Sequence, residues 1–131
     1  MIKFSEIKMG GYVMAEYNGQ LRRGEVKRLN GDEKQVCVET DVQEFWYETQ
    51  HLLPIAINDD ELLKLNFSKE ELPDGTVKYK KGSFRLVIPR KDDFSTLEMW
   101  YREDRRHFSF PLGVHELQNL HLDMTKVPLE V

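Results

Sequence analysis

Apolar and polar residues alternate with a period of two along much of the chain as far as Ile55, the spacing of strands that bury one face. Tyr12 to Tyr17 is the first such run, and it ends at Asn18-Gly19, a pair that accepts the positive φ angles of a tight I′ hairpin turn. Leu21 to Leu29 follows as a longer strand, in which Gly24 predicts a bulge or bend. After the turn signal Asn30-Gly31-Asp32, the next runs are Gln35 to Glu39, Phe45-Trp46-Tyr47 and Leu52 to Ile55.

The period then changes. Asn58 supplies a capping side chain, and Asp59, Asp60 and Glu61 suit the positive end of a helix dipole. Ile57, Leu62, Leu63 and Leu65 recur at helical spacing, so a short helix is predicted over 58–67. A hydrophilic stretch, Ser68 to Asp74, leads to the turn Pro73-Asp74-Gly75. Strands are predicted at Val77 to Lys81, Phe84 to Ile88, Leu97 to Arg102 and His107 to Phe110. Phe84, Leu86, Ile88, Leu97, Met99 and Tyr101 fall on one face; Lys78, Lys80, Arg85, Val87 and Trp100 fall on the other. Val114, Leu117, Leu120 and Met124 then mark a closing helix over 114–125, stopped by Pro128.

The predicted class is α+β, mainly β. Five short strands with a bent second one are too few for a sandwich. They predict a five-stranded small barrel of the SH3 or Tudor type over residues 1–58. Residues 59–131 would add a short helix and an antiparallel meander packed by the C-terminal helix, the two lobes forming one compact unit.

Leu52-Leu53-Pro54-Ile55, Asn66-Phe67 and Val114-His115-Glu116-Leu117-Gln118-Asn119-Leu120 resemble segments of a family of small uncharacterised proteins of Bacteroidetes and their phages. The resemblance runs over nearly the whole chain and is most specific in the closing helix. The family pattern has Gly-Phe where this chain has Asn66-Phe67, and a different ending after Leu120. What the resemblance implies is a bacterial or phage origin and a cytoplasmic setting. It implies no activity.

Composition narrows the functions further. The 131 residues hold 19 Lys+Arg and 23 Asp+Glu, a net charge of −4. Residues 1–58 carry 7 basic and 9 acidic side chains, and residues 59–131 carry 12 and 14, so neither half is a basic lobe. That balance disfavours a dedicated nucleic-acid binder. The single cysteine, Cys37, excludes an intramolecular disulfide. No apolar run approaches the roughly 20 residues needed to span a bilayer, and a long signal-peptide core is missing at the start. A cytoplasmic protein without membrane association is the expectation.

Signatures of catalysis are lacking. His115 and His121 are six positions apart, which points their imidazoles in different directions on a helix, so a zincin-like metal pair is not expected. His115 is expected instead to hydrogen-bond a neighbouring strand, with Gln118 and Asn119 satisfying backbone groups. Cys37 has no adjacent activating base and reads as an inert thiol. Asp59-Asp60-Glu61 and Asp92-Asp93 read as a helix start and a turn, and Gly10-Gly11 leads into a strand where a phosphate loop needs a helix. No cofactor and no metal is expected.

Aromatic residues are the more informative set. In Phe45-Trp46-Tyr47, alternation exposes either Trp46 or the Phe45/Tyr47 pair, unless the second lobe covers both faces. The leading expectation is a non-enzymatic interaction or adaptor module that binds another protein, or itself, through Trp46, Tyr47, Trp100 and Arg102. The alternative is a nucleic-acid-binding accessory protein that uses Arg22, Arg23, Lys27 and Arg28 on the barrel face.

Overall fold

A computed structural model describes residues 1–131, with ten strands and two α-helices. The chain divides into two units. Met1–Ile55 and Gly113–Asn119 make the first; Ala56–Leu112 and Leu120–Val131 make the second.

In the first unit, β1 (Tyr12–Tyr17), β2 (Gln20–Asn30), β3 (Gln35–Thr40), β4 (Glu44–Glu48) and β5 (Leu52–Leu53) form one antiparallel sheet in the order β4-β3-β2-β1-β5. Asn18 and Gly19 both have positive φ, 53° and 75°, as the hairpin signal requires. Strands β4 and β5 are the two edges and do not pair with each other, so the sheet is open where a closed barrel was expected. The bulge also lies elsewhere than expected. Pairing runs without a break through Gly24 and shifts between Val26 and Arg28. Gly24 is required for a different reason, because a Cβ there would sit 2.5 Å from Val38 Cγ1 and 2.8 Å from the Glu39 carbonyl oxygen. Val13, Ala15, Val26, Val36, Val38 and Leu52 fill the core of this unit.

The second unit opens with α1 (Asp59–Lys64). The Asn58 side chain accepts the Glu61 backbone N–H at 2.9 Å, which caps the helix as its sequence predicts. Leu62 and Leu65 are buried, but Leu63 points outward, so the apolar face is narrower than the spacing suggested. Next come β6 (Ser68–Glu71), β7 (Val77–Lys81), β8 (Phe84–Ile88), β9 (Leu97–Tyr101) and β10 (Asp104–Phe108), ordered β10-β9-β8-β7-β6. Strand β6 was not anticipated. Strand β10 begins at Asp104 instead of His107, because Arg102, at φ 56°, turns the chain at once. Val77, Tyr79, Phe84, Leu86, Ile88, Leu97 and Met99 form the buried face. Helix α2 (Val114–Thr125) matches its predicted span, and the division between the units falls within it, after Asn119. No helix is long and apolar enough to cross a membrane.

Candidate functional site

The first unit presents an open depression of about 610 Å³ along β4, lined by Tyr17, Phe45, Trp46 and Tyr47 with Glu16 and Glu48. Neighbouring residues of β4 point to opposite faces, so Phe45 and Tyr47 lie over Val38 and Val36 while Trp46 lies over Cys37. Tyr47 is part of the core, with 7% of its surface exposed, whereas Trp46 is 45% exposed. Tyr17 meets Phe45 edge-on at 5.3 Å, and Phe45 meets Tyr47 at 6.3 Å. Three aromatic rings thus run from the core to the surface. Burial, with Tyr17 nearby, pushes the Tyr47 hydroxyl above its ordinary pKa, so it stays protonated and can donate a hydrogen bond.

The basic side chains proposed for nucleic acid on this sheet are engaged locally. Arg22 lies 3.4 Å from Asp41, and Lys27 lies 3.1 Å from Glu25 and 3.8 Å from Glu39. Arg28 is 3.4 Å from Glu44 and stands over the Trp46 ring at 5.6 Å. Arg23 covers the Tyr12 ring at 4.6 Å. A phosphate approaching this face would meet carboxylates beside Arg22, Lys27 and Arg28. Cys37 is fully buried, with Arg28 3.7 Å from its sulfur; nucleophilic chemistry there is blocked by access alone.

On the second unit, Trp100 and Arg102 share a shallow pocket of about 340 Å³ with Arg85, Arg105 and the Gly82-Ser83 turn. The register explains the grouping, since Lys80, Arg85, Trp100 and Arg105 are successive cross-strand partners on the outer face. Arg105 stacks over Trp100 at 4.5 Å, Lys78 Nζ stands 5.6 Å from the same ring, and the indole N–H donates to Glu98 at 2.9 Å. Trp100 was visible in the sequence. Alternation also put Arg85 on its face, but the β8-β9-β10 register that makes Arg85 and Arg105 its direct neighbours cannot be read from alternation.

Gln118 and Asn119 of α2 satisfy backbone groups as expected, but these belong to the first unit, where the whole helix was expected to serve the second lobe. Gln118 accepts the Tyr12 backbone N–H at 2.9 Å and donates to the Gly10 carbonyl at 3.0 Å; Asn119 donates to the Glu6 carbonyl at 2.8 Å. His115 differs from expectation. Its Nε2 stands 3.8 Å from the Glu6 carboxylate and its buried Nδ1 has no partner. In the second unit, His121 Nδ1 lies 2.8 Å from the Val127 carbonyl, which fixes the proton on that nitrogen.

Burial pushes both histidines below the ordinary value of 6.5, so both are held neutral in the fold. The unfolded chain takes up protons near pH 6.5 while the folded chain resists, so stability is full above that pH and falls as acid is added. Thermal melts from about pH 7.5 to about pH 5.5 should therefore show a falling Tm, and the double change His115→Gln, His121→Gln should flatten the slope. A wild-type Tm that is level across that window would contradict the assignment.

No group of three or more histidine, cysteine or acidic side chains is placed to hold a metal ion. Comparison with protein-family models, with curated proteins and with solved structures finds no match.

Proposed function

We propose that the chain is a non-enzymatic protein-interaction module whose first unit holds a short basic peptide segment of another protein. The observation that carries this reading is the aromatic depression along β4, where Tyr17, Phe45 and Trp46 are each at least 36% exposed. Exposed aromatics in one concave place are the usual anchors of protein interfaces. The acidic rim of Glu16 and Glu48 selects a cationic side chain, which the neighbouring rings of Tyr17 and Phe45 would also attract. Strand β4 is a sheet edge, so its free backbone groups can pair with an extended peptide. The five-strand meander with its bulged β2 supports an SH3-like use of this sheet even though its edges stay apart.

The test is selection of a phage-displayed random-peptide library against the intact chain. Enriched peptides are expected to carry Lys or Arg and to lose about tenfold or more in affinity toward Trp46→Ala or Phe45→Ala, the range of an interface anchor. Trp46 is half exposed, so its removal leaves the fold in place. Failure to enrich any sequence, or equal binding to wild type and variants, would sink the proposal.

A further inference from the structure

We infer that the outer face of the second sheet is a binding site for single-stranded nucleic acid, independent of the peptide site on the first unit. Three arginines converge on one pocket, Arg85, Arg102 and Arg105, and none of them has a carboxylate partner. That is unusual in this chain, where Arg22, Arg28, Arg90 and Arg106 each sit within 3.4 Å of an acid. The buried Nε of Arg85 lacks any hydrogen-bond partner, leaving a donor unused beside the pocket. The uncompensated charge is therefore local, and the chain's net −4 conceals it.

The arrangement fits an extended polyanion better than one isolated phosphate. Lys80, Arg85, Trp100 and Arg105 stand on four successive strands. Neighbouring strands are about 4.8 Å apart, so the row spans roughly 14 Å across the sheet. A strand of nucleic acid laid along that row would place phosphates at the arginines and a base at Trp100, whose indole N–H is already bound to Glu98. Cationic side chains that track a backbone, with an aromatic surface for stacking, are the common elements of single-strand recognition. Arg102 and the Gly82-Ser83 turn close the same end of the sheet and add donors there. Two carboxylates share this face: Glu70, 2.8 Å from Lys80, offsets that lysine, and Glu98 accepts from the indole, so the free positive charge is that of the arginines. A duplex would hide its bases from Trp100. A phosphorylated peptide would need only one arginine pair and would leave the tryptophan unused.

The probe is a fluorescein-labelled oligothymidylate of about 12 nucleotides, followed by anisotropy with the intact chain, a length within the usual site sizes for single-strand binders. Binding is expected at about 50 mM salt, weakening with a log–log slope of about −2 if three phosphates are neutralised. Trp100→Ala should weaken binding about tenfold, with Trp100→Phe retaining most of it. Arg102→Gln with Arg105→Gln should flatten the salt slope; both side chains are exposed, so the variant folds. Arg90→Gln removes one positive charge outside the pocket and should change little. Lack of binding at low salt would overturn the proposal, as would an equal loss in Arg90→Gln, or displacement of the oligonucleotide by a phosphopeptide at matched concentration. Peptide capture by the first unit stands or falls separately, since Trp46 and Phe45 take no part here.

Discussion

Replacing Gln118 with alanine should cost the first unit about 2–4 kcal/mol, because a buried N–H loses its partner at about 1–3 kcal/mol and a half-buried carbonyl at about 1 kcal/mol. The groups are the Tyr12 N–H and the Gly10 carbonyl, and the Gln118 side chain is the residue that meets both. Tyr12 is buried and Gly10 half-buried, and water cannot replace the amide at Tyr12 without opening the start of β1. The readout is urea unfolding followed at Trp46, the one tryptophan of this unit, in a Trp100→Phe background. A midpoint lowered by about 1 M or more is expected. Gln118→Glu should fall between, since a carboxylate still accepts from Tyr12 but cannot donate to Gly10. An unchanged midpoint in Gln118→Ala would show that these two bonds do not hold the unit together.

The span of α2 was legible because its apolar residues recur at helical spacing and Pro128 ends it. That its polar face satisfies backbone was legible too. The partners were not, since Gly10 and Tyr12 are more than a hundred positions away and no local pattern links them. Strand β6 escaped notice for the opposite reason. Ser68, Lys69, Glu70 and Glu71 are all polar, which an edge strand tolerates and even favours, and a wholly polar run carries no period. Gly24 was singled out correctly as a special position, but glycine marks both bulges and close approaches, and only the neighbouring Val38 and Glu39 decide between them. At the candidate sites the sequence supplied Trp46, Tyr47, Trp100 and Arg102 as single residues. Which arginines are spent on carboxylates and which are left over depends on cross-strand register, and that separates Arg22 and Arg28 from Arg85 and Arg105.

Phe84→Ala should destabilise the second unit by about 3–5 kcal/mol, the range for emptying a buried aromatic site. Phe84 is 1% exposed at the start of β8, where it opposes Lys81 on one side and Tyr101 on the other. Its ring meets His121 edge-on at 4.7 Å and Phe67 at 6.1 Å, so one side chain joins the sheet, the end of α2 and the segment after α1. Alanine leaves a void that its ring neighbours Phe67 and His121, both buried, can close only by moving the backbone that holds them. Unfolding read at Trp100, with Trp46 replaced by Phe, should show the loss. Phe84→Leu keeps much of the volume and should recover more than half of it. A second readout distinguishes a void from a general loosening. His121 is held neutral mainly by burial, so water admitted at Phe84 should move its NMR-titrated pKa up toward 6.5 while Gln118→Ala should leave it where it is. A destabilised variant in which His121 still titrates as in the wild type would mean that Phe84 stabilises the unit without shielding the imidazole.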